Sequence, residues 1–105
     1  MYAIDKTDYF DDWLKKLKDY EGKHTINRRI KRAREGNFGD CRWNIVDGIS
    51  EMRIHLGPGY RLYFCQRGET LYLLLSGGDK DAQQNDIERA RAIKREVEAK
   101  EDSTW

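Results

Sequence analysis

The chain has 105 residues, 20 basic and 19 acidic, for a formal net charge of +1. That length suits one domain with one modest core, and the near-neutral balance excludes a protein that holds nucleic acid by overall basicity, so any basic site must come from uneven distribution. No stretch approaches the roughly 20 apolar residues of a membrane span, MYAIDKTDYF lacks the apolar core of a signal peptide, and Cys41 and Cys65 are too few for a disulfide framework, which together point to a cytoplasmic protein with reduced thiols.

The chain shows no repeat and no linker, so residues 1–98 read as one domain and 99–105 as a frayed tail. Tyr2 to Ile4 reads as a short edge strand. In DYFDDWLKKLKDY, Phe10, Trp13, Leu14 and Leu17 fall at i, i+3, i+4 and i+7, one stripe of a helix that Thr7 or Asp8 can cap. Gly22 is the expected break before a second helix, KHTINRRIKRAREG. Its apolar stripe is Ile26, Ile30 and Ala33. Lys23, Arg28, Arg29, Lys31, Arg32 and Arg34 make its other faces basic, and Gly36 stops it. Two helices joined so closely predict an antiparallel hairpin.

From Cys41 to Leu75 the apolar period becomes two. CRWNIV, ISEMRIHL, YRLYFCQ and TLYLLL alternate with turn signals at Asp47-Gly48, Gly57-Pro58-Gly59 and Arg67-Gly68, a four-stranded antiparallel meander. SGGDK follows, then DAQQNDIERARAIKREVEAK, a helix with Asp81 and Gln84 spaced as a capping box. Its apolar residues Ile87, Ala90, Ile93 and Val97 are sparse, so it packs weakly or serves a partner. The class is α+β.

The turn lengths imply a register. A three-residue turn at 57–59 sets Ile54 opposite Leu62, Met52 opposite Phe64, His55 opposite Arg61 and Arg53 opposite Tyr63. The Asp47-Gly48 turn sets Trp43 against Met52 and Arg42 against Arg53. The Arg67-Gly68 turn sets Phe64 against Leu71, Tyr63 against Tyr72 and Leu62 against Leu73. One face is then Cys41, Trp43, Met52, Ile54, Leu56, Leu62, Phe64, Leu71 and Leu73, packed on the helices. The other is Arg42, Asn44, Arg53, His55, Arg61, Tyr63 and Tyr72, open to solvent. Like charges opposite one another cost up to about 1 kcal/mol, so this basic face implies a use. Arginines and tyrosines on an open sheet suit phosphates and stacked bases. Lys80 and the backbone N–H groups after the last strand suit a further anion.

Each feature alone has a plainer reading. Arg53 and Arg61 are then surface arginines paired with Glu51 or Glu69, Tyr63 and Tyr72 a cross-strand aromatic pair, the basic helix a solvated face, and Gly-Gly-Asp-Lys a turn. His24 and His55 are isolated, so no metal and no cofactor are expected, and no serine or cysteine has the surroundings of a nucleophile.

Taken together, MRIHLGPGYRLYF and LYLLLSGGDKDAQQNDIERA, in the order short strand, two helices, meander, helix, resemble the toxins of RelE/ParE-type toxin–antitoxin modules, especially the HigB-like killer proteins. The resemblance spans about residues 2–98. It implies a RelE-like fold and a ribosome-dependent messenger RNA endoribonuclease in which the ribose 2′-OH attacks the adjacent phosphate without a metal. It implies ribosome and mRNA as partners, with a helix-turn-helix, HigA-like antitoxin. It places the family's basic set at Arg53, His55, Arg61 and Lys80, with Arg42, Tyr63 and Tyr72 as RNA-binding neighbours. Imidazole is the side chain there suited to take a proton near neutrality, so His55 is the expected base, Arg61 and Arg53 phosphate clamps, and Lys80 support or acid. The best-known members carry a tyrosine on the last helix. No tyrosine follows Tyr72 here, Asp86 lies near that place, and Tyr63 or the ribosome are other sources of its function. The ParE branch offers a second reading, a non-enzymatic gyrase inhibitor. An inactive antitoxin-binding relative is a third.

Overall fold

The structure, a computed structural model describing residues 2–102, is α+β. Its elements are β1 (Ala3–Lys6), α1 (Asp8–Lys16), α2 (Tyr20–Arg34), β2 (Cys41–Val46), β3 (Ile49–Ile54), β4 (Tyr60–Gln66), β5 (Leu71–Asp79), a 3-10 turn at Lys80–Ala82 and α3 (Gln83–Asp102). The strands form one five-stranded mixed sheet in the order β1-β5-β4-β3-β2, with β1 parallel to β5 and the other neighbours antiparallel. Helix α3 runs into the residues expected to be a frayed tail, and 103–105 lie outside the described residues. No helix among the described residues is long and apolar enough to cross a membrane.

Side-chain caps set the helix starts. Thr7 accepts from the Phe10 N–H at 3.1 Å and donates to the Leu75 carbonyl at 2.8 Å, tying α1 to β5. Asp19 accepts from the Gly22 N–H at 3.0 Å and from the Tyr60 hydroxyl at 2.6 Å. That cap moves the helix break to residues 17–19 and places Gly22 inside α2, not between the helices. At the other end of β5, Asp79 takes the capping role expected of Asp81, accepting from the N–H groups of Asp81 and Ala82.

Both faces of the sheet are covered. Phe10 and Leu14 of α1 and Ile26, Ile30 and Ala33 of α2 pack on Met52, Ile54, Leu62, Phe64, Tyr72 and Leu74. On the other face Ile87, Ala90 and Ile93 of α3 meet Ile49, Tyr63, Cys65 and Leu75. The sparse stripe of α3 is therefore a packing face, and the sheet side expected to be open is covered over much of its area.

The registers differ from those implied by the turns. The Asp47-Gly48 turn forms as expected, with positive φ at both residues and Val46 opposite Ile49. A bulge between Arg42 and Val46, with Asn44 at φ 50°, then slides β2 so that Arg42 faces Glu51 and Cys41 faces Met52. The β3–β4 loop takes in His55 and Leu56 as well as the Gly-Pro-Gly, so Arg53, not His55, faces Arg61. Both slips are by two residues and keep the faces. The β4–β5 slip is by three, Phe64 facing Leu74 instead of Leu71, and exchanges them. Tyr72 and Leu74 therefore enter the core under the helices while Leu73 joins the α3 side. Ser76 and then Gly77 to Asp79, three of the four Gly-Gly-Asp-Lys residues expected as a turn, continue β5. Their smallness admits neighbours: a Cβ on Gly77 would come within 2.5 Å of the Trp13 ring.

Glycine inside a helix ordinarily costs about 1 kcal/mol relative to alanine. A Cβ on Gly22, however, would stand 2.6 Å from Asp19 Oδ2 and 2.7 Å from the Tyr60 ring. Overpacking costs about 1–3 kcal/mol, so Gly22→Ala is expected to lower stability by about 1–2 kcal/mol, and denaturant unfolding of the two proteins checks the sign.

Candidate active site

At the end of the sheet where β3 stops, β4 starts and β5 stops, Arg53, His55, Gly59, Tyr60, Arg61 and Lys80 line one shallow cleft of about 40 Å³. All four residues expected to form the basic set are among them. A small-molecule pocket usually encloses about 300–1,000 Å³, so this cleft suits one charged group of a larger substrate.

Each side chain arrives from a different constraint. Arg53 and Arg61 face each other across β3 and β4, with side chains 32% and 18% exposed. Their ion pair is not the solvated surface pair that composition suggests, because the shared partner is the fully buried Glu51. Glu51 Oε1 accepts from Arg61 Nη1 at 3.1 Å and lies 3.3 Å from Arg53 Nε, while Oε2 accepts from Gln83 Nε2 at 2.9 Å. Lys80 is exposed; its backbone N–H donates to the Gly59 carbonyl at 3.0 Å, which ties the end of β5 to the β3–β4 loop.

His55 lies just past β3 and is 74% exposed, and its Nε2 bonds Asp40 Oδ2. The hydrogen bond from His55 holds the Asp40 carboxyl below its ordinary pKa, against a smaller desolvation effect. The loop carrying Asp40 is fixed by Arg29 of α2. Arg29 Nη1 donates to the Arg53 carbonyl at 2.6 Å, and Nη2 to the carbonyls of Phe38 and Asp40 at 3.0 and 3.2 Å. Burial pulls the Arg29 guanidinium below its ordinary pKa, but its carbonyl partners make its role structural.

Other expected site residues lie elsewhere. Tyr63 is buried under α3 and Tyr72 is buried on the opposite face, so neither ring is open to a stacked base. Burial raises the pKa of both phenols. Arg42 is exposed on edge strand β2, opposite Glu51 and not Arg53. The backbone groups expected to hold an anion beside Lys80 are already spent on Asp79. Burial pushes the Cys41 thiol up to about 11 and raises Cys65, which leaves neither disposed to react.

Asp40, Arg29 and Gln83 join the site without any mark in the sequence. Nothing separates Arg29 from its basic neighbours there, since only the tertiary position of three carbonyls selects it. Glu51 does carry a signal: it alternates with Arg53 on the polar side of β3.

No family model matches the chain, and no solved structure matches it. It is 48% identical over 88 residues to a protein of Haemophilus influenzae (strain Rd) described only as uncharacterized, a match covering 84% of this chain and 88% of the relative.

Asp86, at the start of α3, presses on the sheet beside this cluster. A Cβ on Gly78, the residue opposite Arg61, would come within 1.8 Å of Asp86 Oδ2. That oxygen is buried with no hydrogen-bond partner among the described residues. Burial first, then the charge of Asp79, push its pKa from 3.8 up to about 6. A carboxyl raised on folding favours the folded state while protonated. Its contribution is complete below 3.8 and is lost as the pH rises through about 6. Asp86→Asn should therefore gain melting temperature over the wild type between those two values and hold a constant advantage above them. A difference independent of pH would contradict the assignment.

Proposed function

We propose that this chain, which belongs to one family with the Haemophilus influenzae protein, is a RelE-like toxin of a toxin–antitoxin module that cleaves messenger RNA on the ribosome. The observation that carries this reading is the meeting of Arg53, His55, Arg61 and Lys80 on one small cleft. The cleft's size favours the backbone of a polymer over a small substrate.

The chemistry follows from the groups present. The ribose 2′-oxygen forms a bond to the adjacent phosphorus and the P–O5′ bond breaks, leaving a 2′,3′-cyclic phosphate and a 5′-hydroxyl. His55 takes the 2′-OH proton. With its Nε2–H donated to Asp40, the ring's lone pair sits on Nδ1, and the carboxylate fixes the ring's orientation. Arg53 and Arg61 stabilise the charge that grows on the phosphoryl oxygens. Lys80, the exposed cation, donates to the departing 5′-oxygen. Arg42, on the neighbouring edge strand, adds an electrostatic contact to the strand of RNA. The partners of this reading are the ribosome, its mRNA and a helix-turn-helix antitoxin. The gyrase-inhibitor reading uses none of these cations.

Induced expression with primer extension on transcripts is the test. Wild type should stop protein synthesis and leave cuts within codons, and Arg61→Ala should reduce cutting about 100-fold. Because Arg61→Ala deprives buried Glu51 of a partner, Lys80→Ala, at an exposed position, repeats the measurement with the buried cluster intact. Blocked replication with intact transcripts would overturn the nuclease reading in favour of gyrase.

A further inference from the structure

Arg53 and Arg61 are set directly opposite each other, an arrangement that like charges oppose. What holds them is Glu51. It precedes Arg53 by two residues on β3, so both side chains stand on one side of the sheet, and its position opposite Tyr63 makes it diagonal to Arg61. One carboxylate oxygen serves both guanidinium groups, and the other is held by Gln83, the first residue of α3. With both oxygens engaged the carboxylate cannot rotate. The Nε atoms of both arginines are buried without a hydrogen-bond partner among the described residues, so the shielding of their N–H groups depends on the side chains being held in place, while parts of both side chains reach the cleft.

A fully buried carboxylate seldom stabilises a fold more than apolar residues of its size would. A role in stability alone therefore explains Glu51 poorly, and a role in orientation explains it well. We infer that Glu51 is a positioning residue: it aims the two guanidinium groups of the cleft at a single phosphate, and through Gln83 it makes their aim depend on the seating of α3. The catalytic consequence rests on the nuclease reading above; the orienting role does not.

The test compares the full chain with Glu51→Gln. The first readout is hydrogen exchange at the Arg53 and Arg61 Nε–H groups, followed by nitrogen-15 NMR. These signals should exchange slowly in the wild type and lose their protection in Glu51→Gln while circular dichroism shows the fold retained. The second is cleavage of mRNA on programmed ribosomes. Misaimed groups should lower the saturating rate about 100-fold, while KM stays level or falls, because the cleft gains one net positive charge. A merely structural residue would instead reduce the folded fraction and leave the rate per folded molecule unchanged, and that result would overturn the proposal. So would protected Nε–H groups with full rate in Glu51→Gln. If Glu51→Gln fails to fold, Gln83→Ala releases only Oε2; partial loss of Nε–H protection with the fold intact supports the proposal, and unchanged protection overturns it. If the wild type cuts no RNA, the nuclease reading fails, and the exchange measurement alone decides the role of Glu51.

Discussion

Burial of β4 on both sides constrains everything around it. Leu62 and Phe64 point into the helical layer of α1 and α2, and Tyr63 and Cys65 point beneath α3. A charged residue in the middle of such a strand would lose its hydration without finding a partner. Arg61 is tolerated because it lies near the strand's first residue, where α3 is only beginning, and because Glu51 accepts from its Nη1. The cationic cleft thus sits at the end of the sheet. The two covering layers leave room there for polar groups that still have partners.

The core also fixes the parts of the site that carry no apolar group. Phe38, in the segment between α2 and β2, lies against Tyr72 and Trp43 with ring centroids 5.0 Å away in each case, and against Phe64 at 5.6 Å. Aromatic pairs in such edge and offset arrangements add to their area burial. Two residues later stands Asp40, and Arg29 binds the carbonyls on either side of the intervening Gly39. The aromatic cluster and the guanidinium together hold the Asp40 carboxylate against His55. Packing energy is thereby converted into the orientation of an exposed imidazole.

Electrostatically the cleft is a balance. Two arginines, one lysine and one histidine line it, and Glu51 and Asp40 stand behind. The carboxylates reduce the net positive charge and leave its direction defined. Their effect leaves Arg53, His55 and Arg61 of the cleft ordered against fixed partners rather than spread as a diffuse basic patch.

Sequence by itself determined the alternating segments, the helical stripe of Phe10 and Leu14 and the turn at Asp47-Gly48, because each of these depends on residues within a few positions of one another. It left the pairing undetermined. Slips of two residues at β2–β3 and β3–β4 kept every face and were invisible to alternation, whereas the slip of three at β4–β5 sent Tyr72 into the core, because Ser76 to Asp79 resemble a turn yet pair as a strand beneath Trp13 and Asp86. What covers a face, which carboxylate lies under Arg53 and Arg61, and which helical arginine binds three carbonyls were decided only in the tertiary structure. Those outcomes depend on the free energy of contacts between distant segments, and local periodicity carries no record of it.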